Sequence, residues 1–256
     1  MSSVWQFLEN LLFPPKCLSC GEFLQEHLTD PCNRPLCHRC RVEWEREKGE
    51  ICPECGAEMP TCRCCPPRLT KAGVERTVKL VNYQNQAETA GRRAILRMKK
   101  RANHRAIDFF ATQLCYSVKG YMDEQGLDVS QVAFCYVPRG QKNVARYGFD
   151  QSKLLCQALA KTCGAMCFDI FIRTAGNVAE QKKLSAKERQ ANSRNRYAVR
   201  EKGLSRLQSG VKCLFLVDDV ITTGESMLGC VKALKGRFDG TVVAVSIART
   251  PKRKRL

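Results

Sequence analysis

Residues 214–226 read LFLVDDVITTGES, and the order of their chemistry decides the fold. Leu214, Phe215, Leu216 and Val217 make a short apolar run of the buried-strand kind. Two adjacent carboxylates follow, Asp218 and Asp219, and then Thr222, Thr223, Gly224, Glu225 and Ser226. The SMLGCVKALK run that begins at Ser226 predicts a helix. A glycine turn between a strand and a helix N-terminus makes an anion cradle, because successive N–H groups face whatever lies above them. The hydroxyls of Thr222, Thr223 and Ser226 add donors. This is not a Walker A loop: GxxxxGK[ST] is absent and no lysine stands in the turn. A solvated acidic turn after a buried strand explains the aspartates but not the TTGES behind them. Two carboxylates beside a phosphate cradle suit a phosphorylated sugar, the carboxylates accepting from two ribose hydroxyls while the loop holds the 5-phosphate.

The surrounding chain repeats the strand–helix alternation. Segments 77–83, 132–138, 167–172, 212–217 and 241–248 are short and rich in β-branched and aromatic residues, as strands are. Between them Ile107, Phe110, Leu114 and Val118 recur at helical spacing within 104–122, and helices are also predicted over 150–163 and 224–238. The pattern predicts an α/β fold with a mostly parallel sheet covered on both faces, and ligands at the C-terminal ends of its strands. Asp218 and Asp219 are expected to emerge at one such tip.

The first 70 residues are chemically different. Ten of the chain's 17 cysteines fall within residues 1–65, and eight of these form CxxC pairs: Cys17/Cys20, Cys37/Cys40, Cys52/Cys55 and Cys62/Cys65. Two intervening residues let both sulfurs converge on one tetrahedral ion, and Gly21 and Gly56 permit the knuckle's tight turn. Residues 1–70 are therefore expected to be a small zinc-binding module with one or two structural ions, ahead of a larger domain over 71–256. The economical pairing joins the first pair to the second and the third to the fourth; the spacing also admits an interleaved arrangement. Cys32 and Cys64 read as spare thiols, and His38 as a possible substitute ligand.

Charge divides at the same place. Residues 1–70 hold 8 Lys/Arg and 10 Asp/Glu, so the remainder carries +20 of the chain's net +18. Any polyanion is met by the C-terminal part. GRRAILRMKKRANHR (91–105) suggests a basic amphipathic helix suited to nucleic-acid phosphates, and RTPKRKRL (249–256) a basic tail. Few aromatics are available to stack on bases, which favours backbone-led, salt-sensitive contact. Residues 2–15 suggest a short amphipathic helix stopped by Pro14 and Pro15, without the basic flank of a signal peptide. No apolar run reaches the ~18 residues of a membrane span, and a cytoplasmic protein is expected.

Residues 214–226 resemble the phosphoribosyl pyrophosphate (PRPP) motif of type I phosphoribosyltransferases. The wider chain resembles the ComF family of competence-associated proteins, in which a cysteine-rich zinc module precedes a phosphoribosyltransferase-like domain. LLFPPKCLSCG, CPECG, VPRGQKNVARYGFDQSKLL, QKKLSAKERQANSRNRYAV, LFLVDDVITTGES and VSIART carry that resemblance in order. It implies a sheet of the type I phosphoribosyltransferase kind and binding of PRPP with Mg²⁺ through Asp218, Asp219, Thr222, Thr223, Gly224, Glu225 and Ser226. Arg139 and Arg146 are implied on the pyrophosphate side. In a transferase Asp218 and Asp219 would position the ribose and stabilise positive charge developing at C1. Tyr147 and Asp150 stand where the family has arginine and asparagine, which weakens pyrophosphate binding. Arg173, Gln181, Leu184, Arg189 and Asn192 match the segment that in active transferases closes over the site. The resemblance also implies a role in natural competence and DNA uptake, alongside the family's helicase. Two functions stay open: a phosphoribosyltransferase whose acceptor no stretch announces, and a single-stranded DNA-binding module that uses the basic domain.

Overall fold

The computed structural model describes residues 14–24, 35–83, 88–100, 102–174, 196–207 and 210–252. The helix expected over residues 2–15 (except Pro14 and Pro15), Cys32, the residues Gln181, Leu184, Arg189 and Asn192, and the last four residues of the basic tail lie outside these. The strands, in chain order, are β1 (Val74–Asn82), β2 (Val132–Tyr136), β3 (Met166–Phe168), β4 (Phe171–Arg173), β5 (Tyr197–Val199), β6 (Cys213–Ile221) and β7 (Thr241–Arg249). The helices are α1 (His38–Lys48), α2 (Pro67–Thr70), α3 (Ala90–Lys100), α4 (His104–Gln125), α5 (Gln141–Tyr147), α6 (Gln151–Cys163), α7 (Glu201–Leu204) and α8 (Glu225–Leu234).

Five strands form an all-parallel sheet in the order β1-β7-β6-β2-β3. This is the α/β architecture that the alternating pattern predicts and that a type I phosphoribosyltransferase-like chain requires. Strand pleating sends alternate residues to opposite faces. Phe134, Phe215, Val217, Val243 and Val245 pack under α3, α4 and α6, while Ala133, Cys135, Leu214, Leu216 and Ala244 pack under α2 and α8. Trp44 of α1 joins the first of these cores, its ring 5.8 Å from those of Phe109 and Phe110.

The segment expected as one strand over 167–172 is two. β3 stays with β2, and the chain breaks at Asp169, which pairs with Arg200 at 3.5 Å. β4 then pairs antiparallel with β5, setting Arg173 opposite Tyr197. β2 leads through α5 and α6 to one side of the sheet, and β6 leads through α8 to the other. A crevice opens at such a switch point, beyond the C-terminal ends of the two strands.

Candidate functional site: an aspartate pair at the switch point

β2 makes its last pairing with β6 at Tyr136–Val217, yet β6 continues beside β7 to Ile221. Asp218 and Asp219 therefore lie inside β6, not beyond its tip, where one neighbouring strand has left and the other remains. Asp218 Oδ1 accepts from Ser152 Oγ and from the Asp219 N–H, both at 2.9 Å. Asp219 Oδ1 accepts from the Val220 N–H at 2.6 Å and faces Lys99 Nζ at 3.4 Å. In each carboxylate the anchored oxygen is Oδ1, which leaves Oδ2 for a ligand. Burial first, and then the neighbouring carboxylate, push the Asp218 carboxyl up to about 7, against the pull of Ser152 and Lys99. Burial likewise raises Asp219, with Lys99 opposing it most strongly.

On one side of the pair lies the expected phosphate loop. Gly224 takes the left-handed conformation (φ +75°) that starts α8, and Thr223 Oγ1 accepts from the Glu225 N–H. Asp218, Thr222, Thr223, Gly224, Glu225 and Ser226 line a cavity of about 60 Å³, roughly the liquid volume of two waters. On the other side is a cleft of about 210 Å³ lined by Lys99, Arg139, Gln151, Ser152, Arg173 and Tyr197 among others. Asp218 and Ser226 border both spaces. The loop offers hydroxyls and a helix N-terminus but no cation, whereas the cleft offers Lys99, Arg139 and Arg173 to an anionic group.

Arg139 lines the cleft, and its surroundings account for the two unusual residues nearby. The Asp150 carboxylate accepts the Arg139 N–H at 2.7 Å while capping α6, so this backbone amide is already engaged. The Arg139 guanidinium lies over the Tyr147 ring at 4.7 Å and near Phe149 at 5.9 Å. Its Nη1 is buried without a hydrogen-bond partner. Arg146 also stacks on Tyr147, but it is exposed on α5 and does not line the cleft. Sequence reasoning missed Lys99, Gln151, Ser152 and Tyr197. The Gln151 side chain is 4% exposed and its Oε1 has no partner, so it presents an unmet polar group to the cleft. None of the four has a local motif, because they reach the site from three separate elements, Lys99 from α3, Gln151 and Ser152 from the start of α6, and Tyr197 from β5.

The cysteines gather in two groups, Cys17, Cys20, Cys37 and Cys40, and Cys52, Cys55, Cys62 and Cys64. Zinc–sulfur bonds of ~2.3 Å in a tetrahedron place sulfurs about 3.8 Å apart. Here Cys20 and Cys37 are separated by 3.7 Å, Cys55 and Cys62 by 3.6 Å, and Cys52 and Cys64 by 3.9 Å. Both groups can hold zinc, in the sequential pairing. The fourth sulfur of the second group is that of Cys64, not Cys65. The chain leaves Cys62 extended (φ −68°, ψ 120°), so Cys62 and Cys64 point one way, while Cys65 packs into the core beneath α8. His38 is exposed and belongs to neither group.

Burial resists ionisation of Cys52, but the N–H groups of Glu54 and Cys55 bring it down to about 6. Cys17 falls to about 7 in the same way, its burial outweighed by N–H groups led by that of Cys37. Cations compensate the sulfurs: Lys79, 2% exposed, donates to Cys62 Sγ at 2.8 Å, and Arg93 approaches Cys40 Sγ at 3.8 Å.

The chain is similar to a protein named DNA utilization protein YhgH from Salmonella typhimurium, with 28% identity over 214 residues, 80% of this chain and 86% of the relative. The protein of that name from Salmonella typhi matches with the same identity and coverage. No family model matches the chain.

In the basic run expected over 91–105, four cations have partners within the chain. Arg97 donates to the carbonyls of Ser19 and Cys20 at 2.9 Å, and Arg93 to Ser19 Oγ and Glu43. Arg92 pairs with Glu88, and Lys99 with Asp219. Arg93 and Arg97 thus brace the first cysteine knuckle, and Lys99 faces the aspartate pair. Among the described residues, no helix is long and apolar enough to cross a membrane.

Proposed function

We propose that the chain binds a phosphoribosyl ligand of the PRPP type, with Mg²⁺, in a protein whose work concerns the handling of DNA during uptake. One observation carries the first part. Asp218 and Asp219 are each anchored through one oxygen, between a phosphate-sized loop and a cleft bearing Lys99, Arg139 and Arg173. The ribose hydroxyls take the free carboxylate oxygens, the 5-phosphate takes the loop, and the diphosphate lies towards the cations. Mg²⁺ is held mainly by the ligand's own oxygens, as is usual for this ion. Where an acceptor is present, the bond from C1 to the diphosphate would break with its electron pair leaving on the diphosphate, the acceptor's lone pair would form the new bond to C1 and its proton would pass to solvent, while Asp218 and Asp219 would stabilise the positive charge developing at C1. The resemblance to ComF proteins and to the DNA utilization proteins supports the second part.

The test is calorimetric titration of PRPP with Mg²⁺ into the zinc-loaded protein and into an Asp218→Ala/Asp219→Ala variant. Binding by the wild type that the variant loses supports the reading, and absence of binding to the wild type overturns it.

A second reading, binding of single-stranded DNA, has its own observation. A groove of about 690 Å³ beside the phosphate loop is lined by Arg68, Lys71, Lys232 and Lys235 over an apolar floor. Backbone-led binding there predicts affinity for an oligonucleotide that falls steeply with salt and weakens in a Lys232→Ala/Lys235→Ala variant. The family's helicase belongs to this reading as a partner.

A further inference from the structure

The second cysteine cluster and the phosphate loop are joined at two places. After Cys62 and Cys64 the chain turns into α2, whose Leu69 is 0% exposed. A Cβ built on Gly224 would stand 3.2 Å from Leu69 Cγ and Cδ1 and 3.6 Å from Pro66 Cβ. Leu69 thus forms the back wall of the turn at its left-handed glycine. Next to it, Arg68 pairs with Glu225, which lines the loop cavity. The second connection starts at Glu54, between Cys52 and Cys55. Its carboxylate pairs with the buried Arg249 at 2.5 Å and accepts the Lys252 N–H. Between those residues the Thr250 N–H donates to the Ile221 carbonyl at 2.9 Å, one residue before the loop begins. The cluster is therefore linked to the loop through Glu54 and the β7 end at the loop's entry, and through Leu69 and Arg68 at the Gly224 turn.

A four-residue helix has no stability of its own. Leu69 and Arg68 keep their places because the chain before them is tied at Cys62 and Cys64, while the chain after them enters β1. The loop in turn has no lysine to fix it.

We propose that the second cysteine cluster is a buttress of the phosphate loop, with Leu69 and Arg68 as positioning residues, so that metal in the cluster and a phosphate ester in the loop strengthen each other's binding. The second half of this rests on the phosphoribosyl reading; the buttress itself does not.

Hydrogen exchange on the full, zinc-loaded chain separates the two. Opening the cluster with Cys62→Ser is expected to speed exchange of the amides over 222–227 about tenfold, with β2 and the first half of β6 still protected. Because that variant can lose more than the loop, Arg68→Ala serves as the gentle probe. Its side chain is exposed, and about threefold faster loop exchange is expected, restored by Arg68→Lys. Loop exchange at the wild-type rate in Arg68→Ala, or in a folded Cys62→Ser, overturns the buttress.

Linkage then requires reciprocity. Ribose 5-phosphate is expected to slow transfer of one zinc equivalent to a chromogenic chelator several-fold, and Arg68→Ala to reduce that slowing. If loop exchange responds to the variants but ribose 5-phosphate neither binds nor slows zinc transfer, the buttress stands and the phosphoribosyl reading fails. If ribose 5-phosphate binds without slowing zinc transfer, the mutual strengthening fails.

Discussion

Asp218 is a carboxylate whose charge costs the fold stability, because it is held at a buried position beside a second carboxylate. Its carboxyl titrates at about 7 in the folded chain, whereas an unfolded aspartate titrates near ~4. Between those values the folded state holds a proton that the unfolded state has released, so stability falls as pH rises from about 4 to 7. Above pH 7 the deficit is complete, and it is on the order of 2–3 kcal/mol once partial exposure is allowed for. Asp218→Asn keeps an acceptor for Ser152 and removes the charge. Its expected effect is a midpoint about 4–8 °C higher at pH 7.5, little change at pH 4.5, and loss of PRPP binding. Thermal scans at the two pH values check this, and an equal gain at both would refute the burial argument. The VDD pattern and the loop were legible in the sequence because one continuous stretch builds them. The proton was not, because it is driven chiefly by burial, which the elements packed around Asp218 create and its own stretch does not specify. Nor was the choice between Cys64 and Cys65, which depends on the direction of a backbone that CRCC does not specify.

At the scale of elements, the alternation of strands and helices was enough to give a mostly parallel sheet, since helix and strand periods differ strongly. Contacts between elements had no such signal. Gly229 illustrates this: in the run SMLGCVKALK it reads as a weak spot in a helix. In the fold it lets the ring of Tyr197, on β5, lie flat against α8. A Cβ there would overlap that ring, coming 2.9 Å from Tyr197 Cε2 and closer still to Cδ2. Tyr197 also carries Arg173, whose guanidinium sits 5.7 Å above its ring, so a displaced tyrosine moves one wall of the cleft. Gly229→Ala is expected to gain about 1 kcal/mol in helix propensity and to lose more to overpacking, for a net destabilisation of about 1–2 kcal/mol. Urea denaturation measures the sum, and a stabilised variant would show that Tyr197 has room to move. The basic run over 91–105 teaches the same lesson from the charge side. Composition marks the run as cationic but not which cations are engaged within the chain: Arg93 faces Glu43 of α1, and Arg97 faces carbonyls of the first cysteine knuckle.

For the molecule as a whole, the composition changes near residue 70, but burial runs across that point. Cys17, Leu18, Cys40 and Trp44 belong to the same core as Phe110, Phe134 and Phe215. Glu47 of α1 accepts the Gly91 N–H at 3.0 Å, and a Cβ on Gly91 would come within 2.8 Å of the Trp44 ring. The second cluster is bound to the sheet by Lys79 and Arg249, both buried in strands. The first cysteine group thus shares the core of the sheet, and the second, whose own buried cluster among the described residues is Cys52, Met59 and Cys62, is tied to the strands by buried ion pairs. The zinc-loaded protein is therefore expected to unfold in one calorimetric transition with matching calorimetric and van't Hoff enthalpies. Removing zinc leaves eight thiols, of which Cys62 and Cys40 hold Lys79 and Arg93 close by. Since metal binding to the folded state is linked to folding, chelation is expected to lower the midpoint of that single transition by about 10 °C or more, without splitting off an early one. Two transitions, the later unmoved by chelator, would mean that the cysteine region melts independently of the sheet. The buttress on the phosphate loop would then be weaker than the packing of Leu69 implies.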